Sequence, residues 1–278
     1  MVASLSIPSE GNARGSIACV GLGMTLGSHL TPLARSHIEQ ADVVFAGVSD
    51  AVVEKWLQRM HGDVRSLQPY YGEGKPRSDT YQEWVDLMMA EVRAGKKVCG
   101  VFYGHPGVFA WSPHKVIEVA RAEGYQAHME PGISAEDCLY ADLGIDPGSH
   151  GCQHFEVNQF VLCKRQVDPT AHLVLWQVAM LGIPSVSRSD APAAYRQLLV
   201  DRLSRDYPLE HQVTIYRAAT LPVERPRIRK VALRDLPTTP MTPEETVVLP
   251  PAKAVERDED FIRQVEALDK IYKAPVPA

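Results

Sequence analysis

The sequence KKVCGVFYGHPGVF, residues 96–109, contains the clearest indication of the fold. Its first part, KKVCGVFYG (96–104), is a short apolar run typical of a buried strand. We expect the strand to end at GHPGV, because two glycines and a proline favour a tight turn. A helix is predicted over 113–123 and a strand over 126–130. This order of strand, helix and strand predicts a βαβ unit in a parallel sheet.

The same alternation extends over the first half of the chain. The predicted elements are strands at SIACVGLG (16–23) and ADVVFAG (41–47) and helices at 30–40 and 51–60. Asp79 is predicted to cap the next helix, with Gln82 three residues later as in a capping box, and this helix runs to about residue 94. The pattern predicts an α/β unit with a mostly parallel sheet.

The second half of the chain has a different pattern. After a predicted helix at PGISAEDCLYADLGI (131–145), β-like runs dominate, and one clear helix is expected at 193–205. The β-like runs are HFEVNQFVLC (154–163), HLVLWQV (172–178), HQVTIYRAA (211–219), KVALRDL (230–236) and ETVVLP (245–250). They predict an α+β unit with a mixed sheet and a boundary near residue 131.

These patterns divide the chain into four segments. They are a flexible N terminus (1–15), an N-terminal α/β subdomain (16–130), a C-terminal α+β subdomain (131–250) and a tail (251–278). The tail carries Phe261, Val265, Leu268 and Tyr272 at helical spacing. We expect this apolar stripe either to pack on its own domain or to contact a partner subunit.

The composition narrows the class of protein. Of 278 residues, 45% are apolar and 23% charged, which is typical of a globular protein. A net charge of −5 gives no electrostatic reason to expect nucleic acid or an anionic membrane as partner. MVASLSIPSEGNARG (1–15) lacks the apolar core of a secretory signal, and no apolar run is long enough to span a bilayer. Five widely spaced cysteines imply no disulfide framework, so we expect a cytoplasmic protein.

Two glycine-containing turns are candidate binding sites. GLGMTLG (21–27) follows a strand, but its third glycine is displaced from the dinucleotide fingerprint, so a tight turn beside a substrate is favoured. FYGHPGVF (102–109) lies where open α/β sheets bind ligands. Its Tyr103, His105 and Phe109 offer flat surfaces for an adenine or a sulfonium. An ordinary crossover turn is an equally good explanation of this second stretch.

A possible metal site at HGCQH (150–154) is not supported by its surroundings. His150, Cys152 and His154 alternate and would face one side of a strand. No C-x-x-C or H-E-x-x-H motif accompanies them, so a loop entering a strand is the favoured interpretation and no metal is assigned. The chain also lacks the G-x-S-x-G elbow of serine hydrolases and the Walker A loop.

LQPYYGEGKPRSDTYQEW (67–84) places tyrosines around an arginine. Taken singly, Tyr81 begins a core-facing stripe, Tyr71 is a turn residue and Arg77 is a solvated charge. Taken together they suggest acid–base chemistry, because a guanidinium beside a phenol favours the phenolate and lowers a phenol pKa from about 10. A phenolate in a dry pocket is a base suited to a very weakly acidic proton.

Several of these motifs resemble a known family. The segment 102–147, with GHPGV and PGISA, resembles the S-adenosylmethionine pocket of the tetrapyrrole methylase superfamily. Within it, YYGEGKPRSDTY, SAEDCLYADLGIDP, LVLWQV, YRAA and LPPAK resemble the borosin α-N-methyltransferases, which methylate backbone amides of ribosomally made peptides. The resemblance spans about residues 16–255. It implies an α/β, tetrapyrrole-methylase-like fold of two α/β subdomains with the S-adenosylmethionine site in the cleft between them.

The resemblance also implies the site residues. The catalytic group would be Tyr71, Arg77 and Tyr81, with Gln68 and Tyr70 beside the substrate and no metal. The cofactor contacts would be Tyr103, His105, Val108, Phe109, Ser134, Ala135, Gln177, Ala218 and Thr246. S-adenosylhomocysteine would be the product. Gln68 stands where fused fungal members have a tyrosine, and Glu245 where they have a small polar residue.

The resemblance further implies the partners. Fused members carry their apolar core peptide as a C-terminal extension, whereas this chain ends at KAPVPA (273–278), so we expect a split enzyme acting on a separate small precursor. A homodimer, or a heterotetramer with two precursors, is expected. Two other functions stay open: a methyltransferase acting on a tetrapyrrole or another small molecule, and a non-catalytic module that binds S-adenosylmethionine and a peptide.

Overall fold

A computed structural model describes residues 15–48, 50–182 and 191–273. They form two five-stranded sheets, each covered by helices. The predicted flexible segment 1–15 lies outside the described residues except for Gly15. None of the helices in the described part of the chain is both long and apolar enough to cross a bilayer.

The first sheet is entirely parallel. Its strands are β1 (Ser16–Gly21), β2 (Val43–Gly47), β3 (Val64–Ser66), β4 (Lys97–Phe102) and β5 (Gln126–Met129), in the order β3-β2-β4-β1-β5. Strands β1 and β4 are central and almost wholly buried, which explains their continuous apolar runs. The predicted parallel sheet is confirmed, while the short strand β3 was not predicted.

Helices cover both faces of this sheet. They are α1 (Pro32–Glu39), α2 (Ala51–Leu57), α3 (Arg77–Arg93) and α4 (Trp111–Ala122). The predicted N-cap at Asp79 is wrong, because α3 begins two residues earlier, after Pro76. Pro76 is the N-cap residue with an extended backbone, and its ring offers no hydrogen-bond acceptor, so the helix begins without a side-chain cap.

The second sheet is mixed, as predicted. Its unit contains α5 (Ala135–Leu143), α6 (Pro147–His150), β6 (Cys152–Glu156), α7 (Val157–Leu162), β7 (His172–Trp176), α8 (Ala193–Leu203), β8 (Gln212–Arg217), β9 (Arg227–Ala232) and β10 (Thr246–Leu249). The order is β6-β7-β10-β8-β9, with β6 and β7 parallel and the other pairs antiparallel. The predicted boundary near residue 131 falls between β5 and α5, and the division into domains there stays a prediction.

Two predicted strands differ from the structure. HFEVNQFVLC is not one strand, because β6 ends at Glu156 and its carboxylate accepts the Gln159 N–H at 2.8 Å, which caps α7. Val157 and Phe160 are then three apart on one buried helix face. The run at 230–236 belongs to β9, which begins earlier, at Arg227, and leads into a 3₁₀ helix, Leu233–Asp235.

The last helix, α9 (Glu259–Tyr272), has no buried residue. Its predicted apolar stripe of Phe261, Val265, Leu268 and Tyr272 is exposed, and so is the adjacent Ile271. Packing of this stripe on its own domain is therefore not found among the described residues. The other interpretation, contact with a partner, is taken up below.

The two units contact each other where the strands of the first sheet end. The loop after β1 reaches the connection between β8 and β9: the Leu26 N–H donates to the Thr220 carbonyl at 2.9 Å, and the Thr25 hydroxyl donates to the Ala219 carbonyl at 3.1 Å. Phe109, after β4, packs on Trp176 at the end of β7, with ring centroids 5.4 Å apart. A cleft between the units therefore lies at the carboxyl edge of the parallel sheet, where such sheets bind ligands.

Candidate active site

Tyr71 and Tyr81 lie together on one indole ring. Tyr71 follows a 3₁₀ helix, Gln68–Tyr70, and Tyr81 lies one turn into α3. Their ring centroids are 5.3 and 5.5 Å from that of Trp84, and all three pairs meet edge to face. The Trp84 indole N–H is buried and donates to the Leu67 carbonyl at 3.0 Å. The two phenols are thus fixed by a packed aromatic support.

The loop before α3 is tied back to this support. The Lys75 ammonium donates to the Tyr70 carbonyl at 3.0 Å and pairs with Glu83 on α3 at 2.6 Å. The Thr80 hydroxyl donates to the same carbonyl at 3.3 Å. Both predicted substrate residues belong to the 3₁₀ helix that ends beside Tyr71. Gln68 is half-buried and Tyr70 is exposed. The structure therefore brings the predicted substrate and catalytic residues of this loop together.

Burial keeps Tyr71 protonated. Its pKa is raised, first by burial and then by the charge of Tyr81 and a side-chain hydrogen bond with it, while Arg77 opposes the rise weakly. The expectation that the arginine lowers the pKa of its neighbouring phenols is therefore wrong for Tyr71, because desolvation outweighs the attraction of the guanidinium. A neutral phenol is a hydrogen-bond donor, and Tyr71 is suited to that role.

Arg77 supplies a positive charge that no carboxylate of the described residues neutralises. It is the first residue of α3 and is half-buried. Among the described residues its side chain forms neither an ion pair nor a hydrogen bond. It acts electrostatically on Tyr71 and on Tyr103, and Tyr81 acts on Tyr103 as well. Two phenols, Tyr71 and Tyr103, are thus influenced by one guanidinium at the edge of the cleft.

A cavity of about 530 Å³ adjoins this group. It is lined by Tyr81, by other residues of the first turns of α3, and by Trp111 at the start of α4. Trp111 is 48% exposed, which is unusual for so large an apolar ring. The volume is within the range of about 300–1,000 Å³ typical of ligand sites.

The turn after β4 presents aromatic rings to the cleft. Tyr103 is 62% exposed and Phe109 is 49% exposed. The His105 Nδ1 accepts the Gly107 N–H at 2.9 Å, and the His105 carbonyl accepts the Val108 N–H at 3.2 Å. His105 therefore shapes the turn that places the rings, and Val108 is half-buried within it.

Two predicted cofactor residues have strained backbones. Phe109 and Gln177 have φ of 50° and 60°, and they are the non-glycine residues with positive φ in the described ranges. Such a conformation is costly for residues with a Cβ and is concentrated at ligand sites. Phe109 contacts Trp176, the residue before Gln177, so both strained positions meet at the junction of the two units.

The remaining cofactor residues converge at the same place. Thr246 begins β10 opposite Tyr216 near the end of β8, so Thr246 and Ala218 lie at the same edge of the second sheet as Gln177. Ala218 and Ala135 pack in one apolar cluster with Trp176. Their small side chains leave room beside the exposed aromatic rings of the first unit.

Ser134 has a structural task. Its hydroxyl donates to the Asp137 carboxylate at 2.7 Å and accepts the Glu136 and Asp137 N–H groups, which forms a capping box at the start of α5. The hydroxyl hydrogen is therefore already used, and Ser134 supports Ala135 rather than offering a donor. A Cβ on the nearby Gly132 would lie 2.5 Å from the Gly104 carbonyl oxygen, so the backbones of these loops touch.

Glu245 also has a structural task. It is buried and its carboxylate accepts from the Arg229 guanidinium at 2.8 Å and from the Thr242 N–H at 2.8 Å. These contacts fix the chain just before Thr246. The charge of Glu245 is therefore neutralised within the second sheet.

The HGCQH residues form a hydrogen-bond network instead of one strand face. His150 ends α6, whereas Cys152 and His154 lie on β6, so the three residues do not share one strand and the possible common face is not formed. The His154 Nδ1 accepts the Trp176 indole N–H at 3.2 Å, and its Nε2 lies 2.7 Å from the Tyr140 hydroxyl. His154 thereby orients the indole that supports Phe109.

Two features of the site were not predicted from the sequence. Trp84 supports both phenols, and its spacing three residues after Tyr81 on one helix was the available signal. Trp176 links the two units through Phe109 and stacks on His154 within its own unit, but both partners are distant in sequence, so no local pattern indicates them.

The residues of the cleft fit an adenosyl sulfonium. Exposed rings at Tyr103 and Phe109 suit an adenine face or a positively charged sulfur. The small side chains of Ala135 and Ala218 leave space beside them, and the strained Gln177 backbone is typical of a ligand contact.

Comparison with known proteins agrees with this fold. Residues 16–237 match the family of tetrapyrrole (corrin/porphyrin) methylases. The uroporphyrin-III-C-methyltransferase from Thermus thermophilus superposes with a TM-score of 0.60 at 20% identity, over 86% of this chain and 93% of that one. The cobalt precorrin-4 methyltransferase superposes with a TM-score of 0.58 at 15% identity, over 84% and 94%. These likenesses show the fold.

The curated relatives are fungal and closer in sequence. A methyltransferase/ribosomally synthesized cyclic peptide gymnopeptides precursor of Gymnopus fusipes is 40% identical over 91% of this chain and 61% of its own length. A methyltransferase/ribosomally synthesized type I borosin cyclic peptide precursor of Coprinopsis marcescibilis is 38% identical over 92% and 68%. The chain thus spans about three fifths to two thirds of these relatives. It belongs to the tetrapyrrole methylase family, on the branch that contains the borosin methyltransferase precursors.

Proposed function

We propose that this chain is an S-adenosylmethionine-dependent α-N-methyltransferase that methylates backbone amides of a separate small precursor peptide. The observation that carries the proposal is the packing of Tyr71 and Tyr81 on Trp84, with an unpaired Arg77 beside them at the cleft. The relatives support it, because their names join a methyltransferase to a ribosomally synthesized cyclic peptide precursor.

The methyl donor would lie between the two units. The rings of Tyr103 and Phe109 and the small side chains of Ala135 and Ala218 would enclose it, with Gln177 at the junction. When bound, S-adenosylmethionine supplies an electrophilic methyl group on a cationic sulfur and leaves as S-adenosylhomocysteine. The aromatic faces hold that positive charge near the phenols.

The substrate nitrogen needs assistance from the protein. Resonance ties up the lone pair of a peptide nitrogen, so a neutral amide is a poor nucleophile. Removing its proton as the new bond forms makes the nitrogen reactive, and a positioned base typically contributes about 10²–10⁴-fold.

The phenols divide the work. Tyr81, in its phenolate form, would accept the amide proton and become the neutral phenol as the nitrogen takes the methyl group, and the Arg77 guanidinium would stabilise the phenolate beforehand. Tyr71, kept neutral by burial, donates a hydrogen bond to the amide oxygen, where negative charge develops as the proton leaves. The raised pKa of Tyr71 thus supports the role of a donor and argues against that of a base.

Positioning supplies the rest of the acceleration. Holding an amide nitrogen in line with the methyl group contributes up to about 7–11 kcal/mol. The cavity of about 530 Å³ between Tyr81 and Trp111 would hold the neighbouring part of an extended peptide. Gln68 and Tyr70 belong to the 3₁₀ helix just before Tyr71 and would contact the same peptide.

The partners follow from the surface of α9. Its exposed stripe of Phe261, Val265, Leu268 and Tyr272 would pack against a second copy of the chain. The assembly would be a homodimer, or a heterotetramer with two precursors bound. Neither nucleic acid nor a membrane is expected as a partner, and the reaction is expected in the cytoplasm.

The test is co-expression with the small protein encoded next to this chain. Intact mass and fragmentation spectra should show methyl groups added to it, with the fragments placing them on backbone nitrogen. The matched control is the same pair with Arg77→Ala in the enzyme, which should leave the small protein unmodified.

Other outcomes would contradict the proposal. Methyl groups found only on side chains would show that the enzyme methylates side chains and not backbone nitrogen. A coloured, porphyrinoid-bound preparation that methylates a ring would support a tetrapyrrole enzyme. S-adenosylmethionine binding without any methyl transfer to the small protein would support a non-catalytic module.

A further inference from the structure

Two histidines and a glutamate converge outside the cleft. His37 lies on α1, His128 on the edge strand β5, and Glu130 directly after that strand. Because His128 and Glu130 are two residues apart in extended chain, their side chains share one face. Within the described residues, these three form the group of histidine, cysteine and acidic side chains whose ligand atoms come close enough to hold one metal ion.

The distances within this triad have the size of a coordination polyhedron. The Nε2 atoms of His37 and His128 are 3.3 Å apart, and the Glu130 Oε1 lies 3.4 Å from the His128 Nε2 and 3.7 Å from the His37 Nε2. A tetrahedral zinc site with bonds of about 2.1 Å separates its ligands by about 3.4 Å. The three side-chain atoms therefore form one face of such a tetrahedron.

The chemistry of the donors agrees with the distances. Two imidazoles and one carboxylate are the set that zinc and similar transition metals prefer, whereas magnesium prefers oxygen alone. The His37 and Glu130 side chains are 19% and 20% exposed, and that of His128 is 46% exposed. The triad is thus held by its surroundings on one side and open to solvent on the other, where a water can complete the tetrahedron.

Two neighbouring charges, those of Lys97 and Glu130, affect the affinity of the triad for a cation. Lys97 acts on His37 and weakens the attraction for a cation, and its ammonium hydrogen-bonds the Gln40 side chain at 3.3 Å. Glu130 supplies the compensating negative charge. Without a metal, the close approach of two imidazole nitrogens is explained by a single N–H···N hydrogen bond, which leaves Glu130 directed at both rings.

We propose that His37, His128 and Glu130 bind one divalent transition-metal ion of the zinc class. The ion joins α1 to the edge of the parallel sheet. It also fixes the start of the loop that leads to α5, because the Glu130 N–H donates to the Cys19 carbonyl at 2.9 Å and Gly132 packs on Gly104 at the cleft. The site is structural and lies apart from the phenols. The methyltransferase proposal is independent of it.

The experiment measures bound metal on the full-length, tag-free chain. The protein is stripped with a chelator, incubated with a small excess of ZnSO₄, passed through gel filtration and analysed for metal by mass spectrometry. We expect about one zinc per chain and a rise in Tm of about 5 °C at saturating zinc. MgSO₄ should produce neither effect.

Matched variants identify the ligands. His128→Asn and Glu130→Gln should each lose the bound zinc and the rise in Tm, while their metal-free Tm stays at that of the stripped parent. His150→Asn should retain both effects, because His150 pairs only with the His172 ring, 6.0 Å away, in a cluster that offers no third ligand among the described residues.

Two results would overturn the proposal. One is a parent protein that leaves gel filtration without zinc. The other is equal zinc retention by the parent and by the His128→Asn and Glu130→Gln variants, which would place the metal elsewhere on the chain.

Discussion

The rings of Tyr71 and Tyr81 meet edge to face, with centroids 6.3 Å apart and planes inclined at 80°. They lie in different surroundings although they are neighbours. Tyr71 is desolvated and has a raised pKa, whereas Tyr81 borders the cavity next to Trp111. In the proposed mechanism these different surroundings give two identical side chains different tasks, hydrogen-bond donor for Tyr71 and base for Tyr81.

Replacing Arg77 separates charge stabilisation from cofactor binding. Arg77→Ala should lower the methylation rate constant by about 100-fold or more, because an unpaired guanidinium beside the phenols is lost. The S-adenosylmethionine affinity, measured by calorimetry, should stay within about twofold. Arg77→Lys should recover part of the rate, since it keeps the charge without the planar fork. Loss of cofactor affinity in Arg77→Ala would instead place this residue in the donor pocket.

The raised pKa of Tyr71 predicts a dependence of stability on pH. In the unfolded chain the phenol ionises near pH 10, but in the folded chain burial holds the proton to higher pH. This contribution to stability is therefore complete below about pH 10 and is lost above it, by at most about 1.4 kcal/mol per pH unit.

Tyr71→Phe is the variant that tests this dependence. Its free energy of unfolding in urea should fall less steeply between about pH 9 and pH 11 than that of the parent. The comparison with the parent is needed because burial also raises the pKa of Tyr140, Tyr207 and Tyr216. Identical slopes for the two proteins would show that Tyr71 is not desolvated.

The exposed apolar stripe of α9 predicts a dimer, and introducing one charged side chain into the stripe should weaken it. Leu268→Asp should raise the dimer dissociation constant by about 10-fold or more, measured by size-exclusion chromatography with light scattering. Leu162→Asp is the matched control, since Leu162 is an exposed leucine on α7. A parent protein that stays monomeric, or an equal effect of both substitutions, would refute this role of α9.

The five cysteines should react with thiol reagents in a fixed order. Cys163 is exposed and should react first at about pH 8. Burial raises the pKa of Cys138 to about 11 and that of Cys19 to about 12, so these thiols carry little thiolate at that pH. Cys163→Ser should remove the fast phase. Modification of Cys19 in the folded protein, mapped by peptide mass spectrometry, would contradict its burial.

The parallel sheet could be predicted because its signals are local. Buried strands such as β1 and β4 are short apolar runs ending in glycine, and their helices carry apolar residues at helical spacing. Local signals also misplaced the start of α3. Asp79 has a side chain typical of an N-cap, but the N-cap position is occupied by Pro76, three residues earlier.

Contacts between distant residues could not be predicted from these patterns. Glu156 ends β6 and caps α7, which splits a run that reads as one strand. The support of Phe109 by Trp176 and His154 joins three separate elements. No periodicity within one segment encodes such a contact.

The candidate metal site also could not be predicted from a local sequence pattern. HGCQH has closely spaced metal-ligand residue types, yet His150 lies on a helix and not on the strand that carries Cys152 and His154. The better triad combines His37 with His128, 91 residues later in the chain. Helix α1 and the edge strand β5 must first pack on the same sheet before these two side chains meet.

The most direct measurement is the single-turnover rate of Tyr81→Phe. Phenylalanine keeps the ring on Trp84 and removes only the phenol oxygen, which in the proposed mechanism takes the amide proton as a phenolate. With saturating S-adenosylmethionine and the precursor peptide, we expect a rate constant lower by about 100-fold or more at unchanged cofactor affinity. Tyr195→Phe, at an exposed tyrosine on α8, is the matched control and should react at the parent rate. A Tyr81→Phe enzyme that methylates backbone nitrogen at near the parent rate would contradict the assignment of Tyr81 as the base.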